Sequence, residues 1–114
     1  MALLSPTAVP GSAATAITFA SVAAGGDTVA YKKDKLQIIL FRKTGGASAD
    51  VTIAAARTTA QAGRDVATLS SLTFAMVSSN VKAVLVTPAY VGSDGLVAIT
   101  YTAVANLSVC VLEI

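Results

Sequence analysis

One stretch of the chain, Lys35 to Phe41, has the sequence Lys-Leu-Gln-Ile-Ile-Leu-Phe and decides the fold. Successive side chains of a β-strand point to opposite faces. One face of this strand would carry Leu36, Ile38 and Leu40, and the other face would carry Gln37, Ile39 and Phe41. Because both faces are largely apolar, we expect the strand to be covered on both sides, at least in part. One cover is the core of the domain, and the other is a second layer or a partner molecule.

The rest of the chain repeats this strand-like character in short β-branched runs separated by Gly, Asn, Asp and Ser, which favours an all-β fold. Besides Lys35 to Phe41, the predicted strands are Ala16 to Phe19, Val51 to Ala54, Leu72 to Val77, Ala83 to Thr87, Leu96 to Tyr101 and Ser108 to Ile114. The alanine-rich segment from Ala55 to Ser70 stays open, with a short helix as one alternative. We expect residues 13–114 to form a single compact β-sandwich or jelly-roll-like small barrel of about seven or eight strands.

Turn residues mark the boundaries between these strands. Gly25-Gly26-Asp27 and Ser78-Ser79-Asn80 interrupt the apolar pattern, and Asn106 is a third turn residue because asparagine tolerates the left-handed region. Ser93-Asp94-Gly95 predicts a type I′ hairpin turn, in which both central residues need positive φ.

Residues 1–12 differ from the rest of the chain and are interpreted as an N-terminal arm. They contain Pro6, Pro10 and Gly11 and no charged side chain. Proline cannot donate a hydrogen bond to a β-ladder, so this segment is not expected to form a central strand. Its apolar anchors would contact a neighbouring subunit or the surface of a larger assembly. The predicted protein-interface residues are therefore Leu3, Leu4 and Val9, together with Ile39 and Phe41 of the two-faced strand.

The composition indicates a protein that hides apolar surface against other molecules. Of the 114 residues, 54% are hydrophobic and 12% are charged, and the mean hydropathy is +0.73. Soluble domains usually carry about 25% charged residues, and a chain of this length has a high surface-to-volume ratio. The apolar excess predicts burial against further copies of the chain or within a larger assembly, and we expect a homo-oligomer, either a dimer or a trimer.

Nucleic acid and membrane are not expected as partners. The net charge is +2, and apart from Lys32, Lys33 and Lys35 the basic residues are scattered, whereas nucleic-acid-binding proteins usually show a clustered basic surface. The apolar stretch from Ala13 to Ala24 contains three hydroxyl residues and is shorter than the roughly 20 apolar residues of a spanning helix. The first basic residue is Lys32, so the chain also lacks the basic start of a secretory signal, and a cytoplasmic site of synthesis is expected.

The side chains that usually perform catalysis are sparse. There is no histidine, and Cys110 is the single cysteine, so histidine-activated nucleophiles and thiolate or histidine metal sites are excluded. The six acidic residues are dispersed, and several lie beside turn residues, where they favour local hydrogen bonding. We therefore expect no enzyme, no catalytic residue, no cofactor and no metal.

The last third of the chain carries a resemblance to a known family. The matching segments are Thr87-Pro88-Ala89-Tyr90, Ser93-Asp94-Gly95-Leu96-Val97 and Ile99-Thr100-Tyr101-Thr102-Ala103-Val104, with a weaker match at Val51-Thr52-Ile53. These segments resemble the small β-sandwich proteins encoded near the major capsid gene of tailed phages and prophages. The resemblance implies a capsid decoration (cement) protein on the outside of the virion head, assembled in the host cytoplasm. Its partners would be the major capsid protein and its own copies.

Two other functions are weighed against this one. The first is a host-attachment or carbohydrate-binding β-sandwich module of a phage head or tail fibre. Sugar-binding faces usually need aromatic platforms, and this chain is 5% aromatic with no tryptophan. The second is a small membrane-active β protein, against which the lack of aromatic girdles counts.

Overall fold

Two five-stranded sheets face each other across an apolar core in the computed structural model, which describes residues 2–12, 14–54, 59–62, 65–68, 71–92 and 94–114. Of residues 59–62 and 65–68 only the backbone is described. The strands are β1 (Ala2–Leu3), β2 (Thr7–Ala8), β3 (Ala20–Ser21), β4 (Asp27–Ala30), β5 (Gln37–Lys43), β6 (Ala49–Ile53), β7 (Thr59–Ala62), β8 (Asp65–Thr68), β9 (Leu72–Met76), β10 (Val81–Leu85), β11 (Leu96–Tyr101) and β12 (Leu107–Glu113), with a short 3₁₀ helix at Pro88–Tyr90. The all-β prediction is confirmed.

The first sheet, called sheet 1, has the order β1-β4-β11-β6-β9. The second, sheet 2, has the order β10-β5-β12-β2, and β3 also pairs with β12. β7 and β8 form a separate antiparallel hairpin. Three of the ten strands in the two sheets, β1, β2 and β3, have only two residues, so the strand count exceeds the expected seven or eight through very short edge strands.

The core lies between the inner faces of the two sheets. Sheet 2 contributes Ile39, Phe41, Val109 and Val111, and sheet 1 contributes Val29, Val51, Ile53, Met76, Val97 and Ile99, all of them at most 1% exposed. The Phe41 ring meets the rings of Phe74 and Tyr101 edge-on, with centroid distances of 5.6 and 6.5 Å. Such edge-to-face pairs add to the stabilisation from burial.

The stretch that decides the fold becomes β5, between β10 and β12 in the sheet. The strand begins two residues later than predicted, at Gln37, and ends two residues later, at Lys43. Lys43 can end a buried strand because its amino group reaches the end of the sandwich and donates a 2.8 Å hydrogen bond to the Ala105 carbonyl. The predicted C-terminal strand is also confirmed, since β12 pairs with β5 along its whole length.

The N-terminal arm runs along one edge of the sandwich. β1 pairs with β4 at the edge of sheet 1, and β2 pairs with β12 in sheet 2, both in parallel. The Leu4 N–H donates to the Thr28 carbonyl at 2.9 Å, and the Val9 N–H donates to the Glu113 carbonyl at 2.8 Å. Residues 2–9 therefore cross from one sheet to the other and occupy edge positions, which proline tolerates.

Two local predictions are corrected, and the structure describes part of one segment that the sequence left open. Ala16 to Phe19 is not a strand; pairing with β12 begins at Ala20. The turn at Ser93-Asp94-Gly95 does not have Asp94-Gly95 at its centre, because the Gly95 N–H donates to the Gly92 carbonyl at 2.9 Å and Gly95, with a φ of +77°, is the last residue of the turn; Ser93 lies outside the described residues. Between Ala55 and Ser70 the described backbone is a β-hairpin and not a helix, while residues 55–58, 63–64 and 69–70 lie outside the described residues. The predicted turn residue Asn106 is confirmed by its φ of 57°.

Candidate protein interface

The outer face of sheet 1 carries a row of threonines. Strand register places Thr73, Thr52 and Thr100 side by side in one row across three strands. The hydroxyls of Thr52 and Thr73 are 3.1 Å apart and hydrogen-bonded. Asp50 is exposed on the same side. We call Asp50, Thr52, Thr73 and Thr100 the threonine face, and its chemistry suits contact with water.

The outer face of sheet 2 is apolar instead. The register of β10, β5 and β12 produces cross-strand rows, and the two longest apolar rows are Leu85–Ile38–Leu112 and Ala83–Leu40–Cys110. A further row joins Leu36 to Ile114, which exchange backbone hydrogen bonds of 3.3 and 2.8 Å. We call the outer face formed by Leu36, Ile38, Leu40, Val81, Ala83, Leu85, Cys110, Leu112 and Ile114 the apolar face.

Four residues at the margins of the apolar face are strongly exposed. The exposed fractions are 47% for Leu36, 60% for Val81, 50% for Leu85 and 56% for Ile114. Three strands about 4.8 Å apart, each up to seven residues long at about 3.4 Å per residue, give a face of roughly 350 Å². An apolar patch of about 300–600 Å² is the largest that a typical monomer exposes, and such a patch is often a functional surface.

Charged groups lie at the rim of the apolar face. At one end the Arg42 guanidinium lies 4.4 Å from the centroid of the Phe19 ring, a cation–π contact that covers its charge. At the other end the exposed loop before β5 carries Lys32, Lys33 and Lys35. The Lys32 amino group lies 2.9 Å from the Glu113 carboxylate. An apolar centre with a charged rim is the usual layout of a protein–protein interface.

The five predicted interface residues differ in their exposure to solvent. Leu3 is 63% exposed on the N-terminal arm, whereas Leu4 is half-buried and packs against the core, and Val9 is half-buried. Ile39 and Phe41 have no exposed surface. The assignment of these two residues to an interface is corrected, because a fully buried side chain of the folded chain cannot contact another molecule.

Gln37 explains why the inner face of β5 is the one that carries Ile39 and Phe41. Its side-chain carbonyl accepts the Lys32 N–H at 3.0 Å, and its amide nitrogen donates to the Ala30 carbonyl at 2.9 Å. A buried glutamine is tolerated when its polar atoms are satisfied in this way. The face with the polar residue is thus turned inward, and the fully apolar face is turned outward.

The sequence reasoning missed the exposed residues of β10 and of the C-terminal end of β12. Val81, Ala83 and Leu85 alternate with Lys82 and Val84, so one side of this strand is entirely apolar. This alternation predicts an apolar side of the strand, but it does not show whether that side is covered or exposed. A lysine would be expected on the outer side, yet Lys82 lies on the inner side, where its amino group donates to the Ala75 carbonyl of β9 at 2.8 Å.

A pocket of about 280 Å³ lies beside the apolar face, between the N-terminal arm and β12. Its lining includes Leu4, Thr7, Thr18 and Cys110. Burial raises the pKa of the Cys110 thiol, and a hydrogen bond with Thr7 lowers it by less. The thiol is therefore kept protonated, a form that is a poor nucleophile.

The buried polar groups brace the fold. Asp27, 1% exposed, accepts a 2.6 Å hydrogen bond from the Tyr101 hydroxyl and a 3.3 Å bond from the Ala23 N–H. Burial and, to a lesser extent, the Asp27 carboxylate raise the pKa of Tyr101 far above its usual value of about 10. The Tyr101 phenol therefore stays protonated and donates its hydrogen bond, and the buried Asp27 carboxylate cannot contact a substrate in solution.

The tyrosines do not provide an aromatic platform for sugars or bases. Tyr31, Tyr90 and Tyr101 are partly buried and pack against the core, as expected for tyrosines with an apolar body. In the part of the chain that the structure describes, there is no cluster of three or more His, Cys, Asp or Glu side chains that could hold a metal ion.

The described residues also include no helix long and apolar enough to cross a membrane. The two sheet faces, one apolar and one rich in threonine, are thus the main surface features of the molecule. Comparison of the chain with protein-family models, curated proteins and solved structures gives no match.

Proposed function

We propose that this chain is a structural virion protein: a decoration, or cement, protein that binds the outer surface of a phage capsid shell and stabilises it. Its partners are the major capsid protein and further copies of itself. It is carried on the capsid surface of a virion assembled in the host cytoplasm, and it performs no catalysis.

The observation that carries this proposal is the contrast between the two outer faces of the sandwich. Leu36, Val81, Leu85 and Ile114 are about half exposed at the margins of one contiguous apolar face, and a patch of that size often marks a functional surface. Such a patch suits a protein that is held permanently in an assembly, since permanent interfaces are more hydrophobic than transient ones. In the proposed arrangement the apolar face lies against the shell and the threonine face meets water.

The step from an apolar contact surface to a capsid is supported by the sequence resemblance. Two of its segments, Leu96-Val97 and Ile99 to Tyr101, belong to β11 at the centre of sheet 1. Thr87-Pro88-Ala89-Tyr90 includes the 3₁₀ helix that follows β10. The resemblance thus covers elements that build the sandwich, and the apolar face supplies a physical reason for attachment to a shell.

Co-sedimentation with tailed-phage capsids prepared without their decoration protein tests the proposal. We expect the wild-type chain to sediment with a matching shell at a fixed stoichiometry. The double variant Leu36→Asp/Ile114→Asp places two carboxylates on the apolar face at positions that are already about half exposed, so the fold should be retained while binding falls at least tenfold.

The matched control is Thr73→Asp/Thr100→Asp, which places the same charges on the threonine face. This variant should bind as the wild type does. The proposed orientation is wrong if the control loses binding and the apolar-face variant keeps it. The proposed function is wrong if folded wild-type protein sediments with none of the shells.

A further inference from the structure

We propose that β10 is a self-pairing edge strand, through which two copies of this chain form a symmetric dimer with sheet 2 continuous across the pair. This inference goes beyond the proposed function, because it specifies how the chain meets its own copy and does not depend on the shell.

The open edge of β10 is defined by its hydrogen bonds to β5. β10 is the terminal strand of sheet 2. The Val86 N–H donates to the Gln37 carbonyl, and the Lys43 N–H donates to the Asn80 carbonyl, both at 3.0 Å. The backbone N–H and C=O groups of the even-numbered residues therefore point toward β5. Because backbone groups alternate in direction along a strand, the N–H and C=O groups of residues 81, 83 and 85 point away from the sheet.

The same three residues also present their side chains on the apolar face. Val81 and Leu85 are 60% and 50% exposed, and Ala83 is exposed as well. An exposed edge strand with apolar side chains and free backbone groups is a template for pairing with another strand. Proteins commonly block such an edge with lysine.

The lysine of β10 does not protect the edge of β10 itself, because it contacts β9, an edge strand of sheet 1. Lys82 points inward, where its amino group donates to the Ala75 carbonyl of β9 at 2.8 Å and lies 5.9 Å from the Phe74 ring centroid. It therefore occupies a carbonyl of the edge strand of sheet 1. The edge of β10 itself carries no charge on its outward side, and this difference selects β10 over β9 as the strand that pairs.

The register of β10 is self-complementary. In an antiparallel pair centred on Ala83, this residue lies opposite Ala83 of the second copy, and Val81 lies opposite Leu85 of the second copy. These are hydrogen-bonded pairs, so about six N–H···O bonds would form across the two-fold axis. On the inner side Lys82 lies opposite Val84 of the second copy, so the two lysines do not face each other. The small Ala83 at the axis lets the strands approach without a clash.

Dimerisation also changes the size of the apolar face. One copy has roughly 350 Å², which is below the roughly 800 Å² that each partner contributes to a standard interface. Two copies joined through β10 present a continuous face of roughly 700 Å², close to that standard value. A second copy at this edge would therefore also give the apolar face the extent that the proposed shell contact needs, and this one step rests on the proposed function.

Site-specific disulfide formation tests the pairing, in a Cys110→Ala background that removes the native thiol. At the two-fold axis the Cα atoms of residue 83 would be about 5.5 Å apart, which is within disulfide range. The Cα atoms of residue 81 in the two copies would be about 14 Å apart, four residues along the strand, which is too far. We expect mild oxidation to produce at least ten times more covalent dimer from Ala83→Cys than from the control Val81→Cys, whose position is also exposed.

A second measurement tests the pairing without a cross-link. The Ala83→Pro variant removes an outward N–H that β5 does not use. Circular dichroism should therefore show that the fold is retained, and sedimentation velocity should show a monomer. Ala83→Ser keeps the N–H and a small side chain, and it should dimerise like the wild type. A monomeric wild-type protein at 100 μM (on the order of the concentrations used for weak dimers), or equal cross-linking at positions 81 and 83, overturns the inference. If Ala83→Pro does not fold, the cross-linking comparison decides alone. Both experiments are done without capsids, so their failure leaves the shell-binding proposal standing, and failed co-sedimentation does not affect the dimer.

Discussion

Replacing Tyr101 by phenylalanine should destabilise the fold through a single lost hydrogen bond. The Tyr101 hydroxyl donates to the Asp27 carboxylate at 2.6 Å, and that carboxylate is 1% exposed. A hydrogen bond to a charged group contributes about 1.5–3 kcal/mol, and a buried acceptor left unsatisfied costs at least as much. The Ala23 N–H still satisfies part of the carboxylate at 3.3 Å, so we expect the free energy of unfolding to fall by about 2 kcal/mol.

The assays are chemical and thermal denaturation of Tyr101→Phe, Asp27→Asn and the double variant, combined in a double-mutant cycle. We expect Tyr101→Phe to lower the melting temperature by about 8 °C, at roughly 4 °C per kcal/mol for a domain of this size. The two substitutions should be non-additive, with a coupling of about 1 kcal/mol or more between residues in contact.

Tyr90→Phe is the matched control, since this tyrosine also packs against the core but no hydrogen bond of its hydroxyl is seen among the described residues. Its effect should stay within about 0.5 kcal/mol. The reasoning is refuted if Tyr101→Phe costs no more than the control, or if the cycle shows additive effects.

Four further predictions follow from the same structure. The pKa of the Tyr101 phenol is raised in the folded state, so its contribution to the free energy of unfolding is intact below pH 10 and declines above it by about 1.4 kcal/mol per pH unit. When the free energy of unfolding is measured from pH 9 to 11, the Tyr101→Phe variant should not show this decline. Lys43→Met replaces a fully buried amine by an apolar side chain of similar length, and thermal melting should show it to be neutral or stabilising; a loss above about 2 kcal/mol would contradict this. Removing residues 108–114 deletes most of a strand that lies between β5 and β2, so the truncated protein should lose its β-type circular dichroism and its cooperative melting. Deleting residues 1–12 removes only edge strands, so the sandwich should still melt cooperatively while oligomerisation or shell binding weakens, and unchanged assembly would show that the arm has no such role.

The strands were largely predictable from sequence where a short β-branched run was bounded by turn residues. Leu96 to Tyr101 was predicted with the bounds that the structure gives, and the C-terminal run forms β12 as expected. Ala16 to Phe19 has the same local character but forms no strand, because only Ala20 and Ser21 come into register with β12. Local propensity does not decide which part of a segment finds a partner strand.

The candidate interface was only half predictable. The two apolar faces of β5 indicated a second contact surface, but nothing in the run Leu36 to Phe41 shows which face turns inward. That choice depends on the hydrogen bonds of Gln37 to a loop and on β10 and β12, which come from distant parts of the chain. Ile39 and Phe41 were therefore assigned to an interface although they form the core. Long-range pairing fixes what periodicity alone leaves open.

The place of β12 in the sheet has a consequence for synthesis on the ribosome. β5 is made early, but the strand that covers its second edge is completed about seventy residues later, which takes roughly 4–14 s at a translation rate of about 5–20 residues per second. Both edges of β5 are bare until β10 has been made, and the edge that β12 covers stays bare to the end of the interval, so the nascent chain is open to chaperones and to aggregation. Chains that stop before β12 cannot close sheet 2, so only chains that contain this strand reach the complete sandwich.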